Sequence, residues 1–555
     1  MATPVPDPSP NAATSSPPRA GLAVLGLLLA ALIACFHLAS GSARAEIGSH
    51  PDEAAHFVTG LMMRDYIAGG FRGSPMRYAT EYYQHYPKIG LGNWPPVFYM
   101  LQAAGMLLLP ATVGTVLWEM CAVTLALGLA LAWWLWREYG WETGVTGAVL
   151  LTGLPLIQQY SNMVMSEVLV ALLMLAAVGF FARYLDRAGW RDAAGFGICA
   201  GLAIMTKGTG LALAFVPPLA ILFTRRYSLL KRPSLWVAAL LVAVIAGPWT
   251  WLFRKQANAG WLEPHPSLHF TGLAVGYYLW QMTVAMGGLL ALLALAGAVT
   301  VLLSKGKEPA ILVCSLALVL GVWTFQCLLP VGLEARHLTP AMPALIILAM
   351  RGLLGLTNWC GGRMRALIQA GLLAIFFGWP AVFHPPMPEP GYGSLGTHLA
   401  VSPFRIPRKE WSGFQAVAEA PGLILGTGPR QSILVASDAR GEGMFIADVA
   451  LKDPHRPSYT VERASKLMAS STWSGAGYAS LYSTPAEALA MLDHSGIEAV
   501  VLDLSPGKIE PHEQLLLQAI SAAGSGFAPL GKWPVTRDGH ITPDALEVFQ
   551  RPANR

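Results

Sequence analysis

Long apolar runs separated by short polar turns fill most of this chain. The first extends from about Gly21 to Ala39, and others lie near 96–112, 114–136, 143–159, 164–182, 193–207, 209–223, 234–253, 273–303, 309–329, 338–357 and 366–383. A helix needs about 20 residues to cross a bilayer's hydrocarbon, so the pattern predicts a polytopic α-helical membrane protein. Residues 1–19, rich in Pro, Ser and Ala, read as a disordered cytoplasmic tail, and 20–383 as the transmembrane domain. Ala43-Arg44-Ala45 resembles a signal-peptidase site, but the length of the preceding run favours a retained span. After Phe383 the pattern changes. Residues 384–399 form a Pro-rich linker, and 400–555 mix charge, Gly and short apolar runs. Ser432–Ala436 and Ala499–Leu504 read as buried strands, and Pro485–His494 and Pro511–Ala523 as helices. A soluble α/β domain with its own core is expected there.

The basic residues set the topology. One alternating set of turns carries Arg137; Arg183, Arg187 and Arg191; Arg225, Arg226, Lys231 and Arg232; Lys305 and Lys307; and Arg363 and Arg365. The other set carries only Lys207, Arg254, Lys255 and Arg336. The positive-inside rule puts the richer set in the cytoplasm. That parity requires 96–112 to lie in the interface or re-enter, which suits its Asn93-Trp94-Pro95-Pro96 start. About eleven spans remain, with the N-terminus inside. The first loop 41–112, the turns 160–166, 207–209, 254–272 and 330–337, and the whole 400–555 domain then lie outside the cytoplasm. The short runs 193–207 and 209–223 form a hairpin whose tip sinks into the outer leaflet.

Composition agrees. The chain is 54% hydrophobic and 12% charged, against about 25% charged for soluble proteins. A net charge of +5, spread in small clusters between apolar runs, gives no nucleic-acid footprint. The six cysteines form no C-x-x-C pair and none lies in the C-terminal domain, so no disulfide framework is indicated. No H-E-x-x-H, P-loop or G-x-S-x-G motif occurs.

Candidate chemistry gathers on the outward segments. Asp52 and Glu53 follow the first span in His50-Pro51-Asp52-Glu53-Ala54-Ala55-His56. Adjacent acids near a bilayer must be solvated, paired or cation-bound. A solvated polar loop and a functional pair both fit. Glu167 opens a strongly apolar run, either as a helix-start acid favoured by the dipole or as a second acid converging on the first pair. Lys207, at the sunken hairpin tip, and Arg336 with His337 supply opposing cations. They either snorkel or hold a phosphate-bearing ligand such as a lipid phosphate. The first loop adds His56, Tyr83, His85, Lys88 and Trp94, an aromatic-rich set suited to a membrane belt or to a sugar or lipid groove. His56 and His85 are possible metal ligands, with the metal itself unknown. Ser437–Gly443 reads as a Gly-rich loop.

The order of these features resembles the GT-C membrane glycosyltransferases. The features are an acidic pair after the first span, an interfacial Pro-Pro helix, a second outward acid, a Lys-Gly turn, and Arg336 followed by Pro340 and Pro343. Over about residues 20–380 the chain is similar in particular to dolichyl-phosphate-mannose protein mannosyltransferases and lipid A aminoarabinose transferases. The resemblance implies inverting transfer of a sugar from a polyprenyl-phosphate carrier to a protein, lipid or glycan acceptor outside the cytoplasm, in a bacterial inner membrane. It implies Asp52 as general base, Glu53 and Glu167 as the accompanying acids, and Lys207 and Arg336 on the carrier phosphate. His337, His56, Tyr83, His85 and Lys88 are expected around the substrate. A divalent metal is possible, since some relatives bind one near the acids. His56 stands where such relatives usually carry Tyr, and Glu167 where many carry Asp. A transporter or flippase of a lipid-linked or anionic solute is the alternative. It predicts charges deep within several spans and inverted repeats, whereas the charges here cluster at one face.

Overall fold

The computed structural model describes residues 19–552 except 91, 264, 305, 383–394, 397, 408–410, 421–431, 472–476, 506–508 and 538–539. The expected N-terminal tail, except Arg19, and most of the Pro-rich linker fall outside the described residues.

The chain opens with α1 (Arg19–Ala39). The first loop then folds as three helices, α2 (Pro51–Ala68), α3 (Pro75–His85) and α4 (Val97–Leu108). The bundle continues with α5 (Val113–Tyr139), α6 (Trp141–Gly153), α7 (Pro155–Ser161), α8 (Glu167–Arg187) and α9 (Trp190–Ile204). A 3-10 segment, Gly208–Phe215, leads into α10 (Val216–Thr224), followed by α11 (Pro233–Leu252) and the short α12 (Arg254–Asn258). The last bundle helices are α13 (Leu268–Leu303), α14 (Ala310–Leu328), α15 (Met342–Leu356), entered through the 3-10 turn Ala335–Ala341, and α16 (Gly362–Val382).

Eight of these segments are long and apolar enough to cross a membrane: α1, α5, α8, α11, α13, α14, α15 with its 3-10 lead-in, and α16. The protein is an integral, multi-pass membrane protein. The other three apolar runs expected to cross fold as shorter or broken segments. Run 143–159 breaks into α6 and α7 at Leu154, because Pro155 cannot continue the hydrogen-bond ladder. The buried Gln158 side chain donates to the freed Thr152 carbonyl at 2.9 Å. Runs 193–207 and 209–223 appear as α9 and as the 3-10 segment with α10. At 12 residues, α4 is too short to cross. Its first amide, Val97 N, donates to Met205 O at 3.0 Å, which ties it to the hairpin tip beside Lys207.

The helix α13 is broken at Gly287, whose φ of +69° suits glycine. The following amides, Gly288 N and Leu289 N, donate to Ala400 O (2.8 Å) and Val401 O (3.2 Å). Ala400 and Val401, ahead of the C-terminal domain, thus satisfy the break.

The C-terminal domain is α/β. Its strands are β1 (Trp411–Ser412), β2 (Ser432–Ala436), β3 (Thr460–Arg463), β4 (Ala469–Ser470), β5 (Ala479–Ser480), β6 (Ala499–Asp503), β7 (Ala528–Arg537) and β8 (His540–Gln550). Its helices are α17 (Phe414–Ala418), α18 (Ala439–Lys452), α19 (Ala464–Leu467), α20 (Pro485–His494) and α21 (Pro511–Ser521). Six strands form one sheet in the order β1-β7-β8-β6-β2-β3, and β4 pairs with β5. Within the large sheet β6, β2 and β3 are parallel and the remaining pairs antiparallel. The central strands read as continuous apolar runs because both faces are covered. Leu434, Ala436, Val500 and Leu502 face a core made with α20 and α21. Ile433, Val435, Ala499 and Val501 face the other way, into an apolar core continuous with that of the membrane bundle.

The domain thus has a core of its own on one face of the sheet and shares the core on the other face with the first loop. The first loop packs against that shared face. At Gly443 in α18, an added Cβ would stand 3.0 Å from Ala54 Cβ. Polar links close the same seam. Glu46 accepts from Gly413 N (2.7 Å) and Phe414 N (3.0 Å). Arg456 pairs with Asp65 at 2.7 Å, and the Tyr86 hydroxyl donates to Asp453. The reading of the Ser437–Gly443 segment is corrected. It is largely the first turn of α18, capped by Asp438, whose carboxylate accepts from Arg440 N and Gly441 N.

Candidate active site

The first turn of α2 is built around an acid. His50 is its N-cap, with Nδ1 accepting from Asp52 N at 3.1 Å, and Pro51 occupies the first helical position. An accepting Nδ1 leaves the ring proton on Nε2, which lies 3.5 Å from Glu334 Oε2. Asp52 and Glu53 are therefore not on a solvated loop. They are buried at a helix N-terminus, where the dipole favours negative charge.

The two neighbours have different surroundings. Glu53 Oε1 accepts from Val164 N at 3.0 Å, and Oε2 accepts from Ser49 N at 3.1 Å. It joins the first loop to the turn before α8. Asp52 Oδ2 instead meets Arg336 Nη1 at 2.9 Å.

Arg336 is the hub. Its Nη2 donates to Glu334 Oε1 at 3.0 Å, its Nε lies 2.8 Å from Glu334 Oε2, and the same Nε stands 3.9 Å from Glu167 Oε1. Lys207 at the hairpin tip donates to Glu167 Oε1. Glu167 Oε2 is buried and, among the described residues, without a hydrogen-bond partner. Five elements thus converge: α2, the start of α8, the α9 hairpin tip, the 3-10 turn before α15, and α13. The last contributes Tyr278, whose hydroxyl lies 3.0 Å from His337 Nδ1.

The electrostatics follow from this packing. Burial alone would raise the Asp52 carboxyl, but the charge of the Arg336 guanidinium and its hydrogen bond hold it well below the usual range. Glu334 is likewise lowered to about 2, because the His50 bond and Arg336 outweigh its burial. His56 is pushed down to about 4 by burial despite nearby Asp52 and Glu167. It is neutral at pH 7, bonded to the Tyr99 hydroxyl at 3.0 Å and packed at a tilt against Trp94, with ring centres 4.5 Å apart.

Lys88 lies at the rim. Its ammonium reaches Pro51 O (3.4 Å) in the first turn of α2 and Ala439 O (3.2 Å) in the first turn of α18. Burial, with repulsion from Arg463, lowers it to about 8. Three carboxylates, Asp52, Glu167 and Glu334, thereby face three cations, Lys88, Lys207 and Arg336.

Two expected residues are placed elsewhere. His85 donates to Tyr459 O at 2.9 Å and belongs to the seam with the C-terminal domain. Tyr83 is exposed on α3. His50 and Glu334 were not anticipated as members of the cluster. Both had a signal in the sequence: His50 precedes Pro51 as a helix cap, and Glu334 lies two residues before Arg336.

A divalent metal here would compete with Arg336 for the same acids. Among the described residues no group of three or more His, Cys, Asp or Glu side chains could hold one. Asp52, Glu167 and Glu334 all turn towards Arg336, whose guanidinium stands where a cation would be.

A multi-pass bundle with a buried charge cluster where its loops meet an α/β domain defines the class. A family model described as dolichyl-phosphate-mannose-protein mannosyltransferase matches residues 93–251. Among solved structures, the chain is similar to ArnT from Cupriavidus metallidurans bound to undecaprenyl phosphate. The TM-score is 0.58 at 15% identity, over 97% of this chain and 99% of that one. The apo form of that ArnT gives a TM-score of 0.56 at 15% identity, over 96% and 98%. No curated protein sequence matches. The fold is that of the GT-C membrane glycosyltransferases, and the likeness extends through the C-terminal domain.

Proposed function

We propose that the protein transfers a sugar from a polyprenyl-phosphate carrier to a hydroxyl-bearing acceptor at the extracytoplasmic face, with inversion. The observation that carries this reading is the buried pairing of Asp52 with Arg336, flanked by Glu167 and Lys207. One group can accept a proton and two can receive a phosphate, all at the end of the bundle where a lipid tail can remain in the bilayer.

In the resting state Arg336 masks Asp52, and a carboxylate so paired is a poor base. A carrier phosphate offers Arg336 a bidentate partner of higher charge. Arg336 turning to it frees Asp52 and restores its basicity. The acceptor hydroxyl then attacks the anomeric carbon and passes its proton to Asp52. The bond from that carbon to the carrier phosphate breaks as the new glycosidic bond forms. The departing phosphate keeps the electron pair, and Arg336, Lys207 and Lys88 stabilise its charge. Glu53 holds the loops in register and takes no proton.

The reading is tested with purified wild type and Asp52→Asn, supplied with polyprenyl-phosphate sugars and membrane extract. Wild type is expected to release carrier phosphate and label an acceptor, while the folded variant is inactive. Equal turnover by both would remove Asp52 from the role of base. Passage of intact carrier across vesicles without cleavage would replace transfer by transport.

A further inference from the structure

A second cluster lies at the opposite end of the bundle. The acids and cations described above sit at the N-terminal ends of α8 and α15. The 15 residues of α15 rise about 1.5 Å each, and its far end, with those of α5 and α13, surrounds a cavity of about 950 Å³. The lining mixes cations with apolar side chains: Arg137, Arg351 and Arg365 with Ala296, Leu354 and Leu356. This end carries the richer set of basic turns.

The charges are not equivalent. Arg351 and Glu308 form a closed fork, with Nε–Oε2 at 2.9 Å and Nη2–Oε1 at 2.6 Å. Each neutralises the other. Arg137 is held over Trp133 and Trp134, its Cζ 5.5 and 5.6 Å from the ring centres, and meets Glu138 only loosely, at 3.8 Å. Arg365 uses Nε on the Cys360 carbonyl at 2.9 Å. Among the described residues, the remaining N–H groups of Arg137 and Arg365 have no acceptor. The Tyr139 hydroxyl in the same lining is buried and, among the described residues, has no partner. With three arginines against Glu138 and Glu308, the cavity is cationic overall.

We propose that this cavity holds the headgroup of an anionic glycerophospholipid. Arg137 and Arg365 would bind the phosphodiester, Tyr139 would bind a glycerol or headgroup oxygen, and the acyl chains would leave along Ala296, Leu354 and Leu356. The phosphodiester supplies the acceptors that the guanidinium N–H groups lack. A leaflet rich in anionic lipid concentrates the ligand at the face bearing the basic turns. The site is separate from the Asp52 cluster and independent of the transfer reaction.

The test uses the full chain, purified in detergent and stripped of lipid. It is titrated with dioleoyl phosphatidylglycerol, with dioleoyl phosphatidylcholine, and with inorganic phosphate as competitor, and retained lipid is counted by native mass spectrometry. Phosphatidylglycerol is expected to bind about tenfold more tightly than phosphatidylcholine. Millimolar phosphate should not displace it. The double variant Arg137→Gln/Arg365→Gln should lose most of that preference, whereas Arg191→Gln, in another basic turn, should keep it. Leu354→Trp fills the cavity without altering charge and should also expel the lipid, which keeps the test decisive if the double variant does not fold. Unchanged phosphatidylglycerol binding in the double variant or in Leu354→Trp would overturn the proposal. Full displacement by phosphate would do so too, making the site one for a free anion.

Discussion

Two sets of buried carboxylates, one in the C-terminal domain and one beneath it, differ in how completely they are satisfied. Asp453 accepts from Ser458 N and Ser458 Oγ (both 2.7 Å), from His455 N (2.8 Å) and from Tyr86. Glu442 accepts from Arg463 Nε (2.7 Å), Ser465 N (2.9 Å) and Ser465 Oγ (2.6 Å). Beneath them, Glu167 has a buried oxygen without a partner among the described residues, and Asp52 is joined to an arginine that three acids share. A buried polar group left incomplete costs stability. A group left incomplete in this way is one that a ligand can complete. Glu53 belongs with the closed set although it is adjacent to Asp52.

The largest expected effect tests the open set. Asp52→Asn should lower turnover by about a thousandfold, within the range for loss of a general base, with unfolding in detergent little changed. Retained turnover would place Asp52 among the structural acids. Arg336→Gln should come next. It leaves Asp52 and Glu334 buried without their cation and should destabilise the protein by about 3–5 kcal/mol, read as a lower midpoint in thermal or denaturant unfolding. A neutral outcome would mean that water enters the cluster freely.

Glu53→Gln and Asp453→Asn probe the closed set and should each cost about 1–3 kcal/mol, the range for unpairing a buried donor. Turnover per folded molecule should fall less than tenfold for Glu53→Gln and not at all for Asp453→Asn. A thousandfold loss for Glu53→Gln would return Glu53 to the chemistry.

The smallest effect concerns Lys88, between the two sets. Its folded value of about 8 lies below that of an ordinary lysine, so its charged form is disfavoured in the fold. Its contribution to stability therefore rises as pH climbs from 8 towards the ordinary lysine range. Its contribution to phosphate binding runs the other way and fades above pH 8. Lys88→Arg should change turnover less than twofold at pH 7 and move the basic limb of the pH–rate profile upward by a unit or more. An unmoved limb would assign that limb to another group.

Much of this architecture was legible along the chain. Apolar run lengths located the eight helices long enough to span, and the run 96–112, which the basic turns set apart, folds as the 12-residue α4. The strand Ser432–Ala436 and the helix Pro485–His494 fall on their expected residues because apolar runs and a Thr484 capping box are local signals. Asp52, Glu167, Lys207 and Arg336 were legible as charges that an apolar neighbourhood must explain. His85 was misplaced for the opposite reason. Histidines and tyrosines on an amphipathic helix such as α3 carry no mark of which partner covers them.

The sequence by itself determined the number and length of apolar segments, the side on which basic turns gather, and which ionisable residues lie beside hydrocarbon. Those properties depend on the transfer free energy of each residue and on neighbours within a few positions. Only the tertiary structure decided that Asp52 meets Arg336 while Glu53 meets backbone amides, and that the C-terminal sheet shares its core with the first loop. The deciding contacts, such as Asp52–Arg336 and Glu53–Val164, join residues 284 and 111 positions apart, and they depend on the docking of α18 against α2 and on the convergence of four loops, to which no local pattern is sensitive.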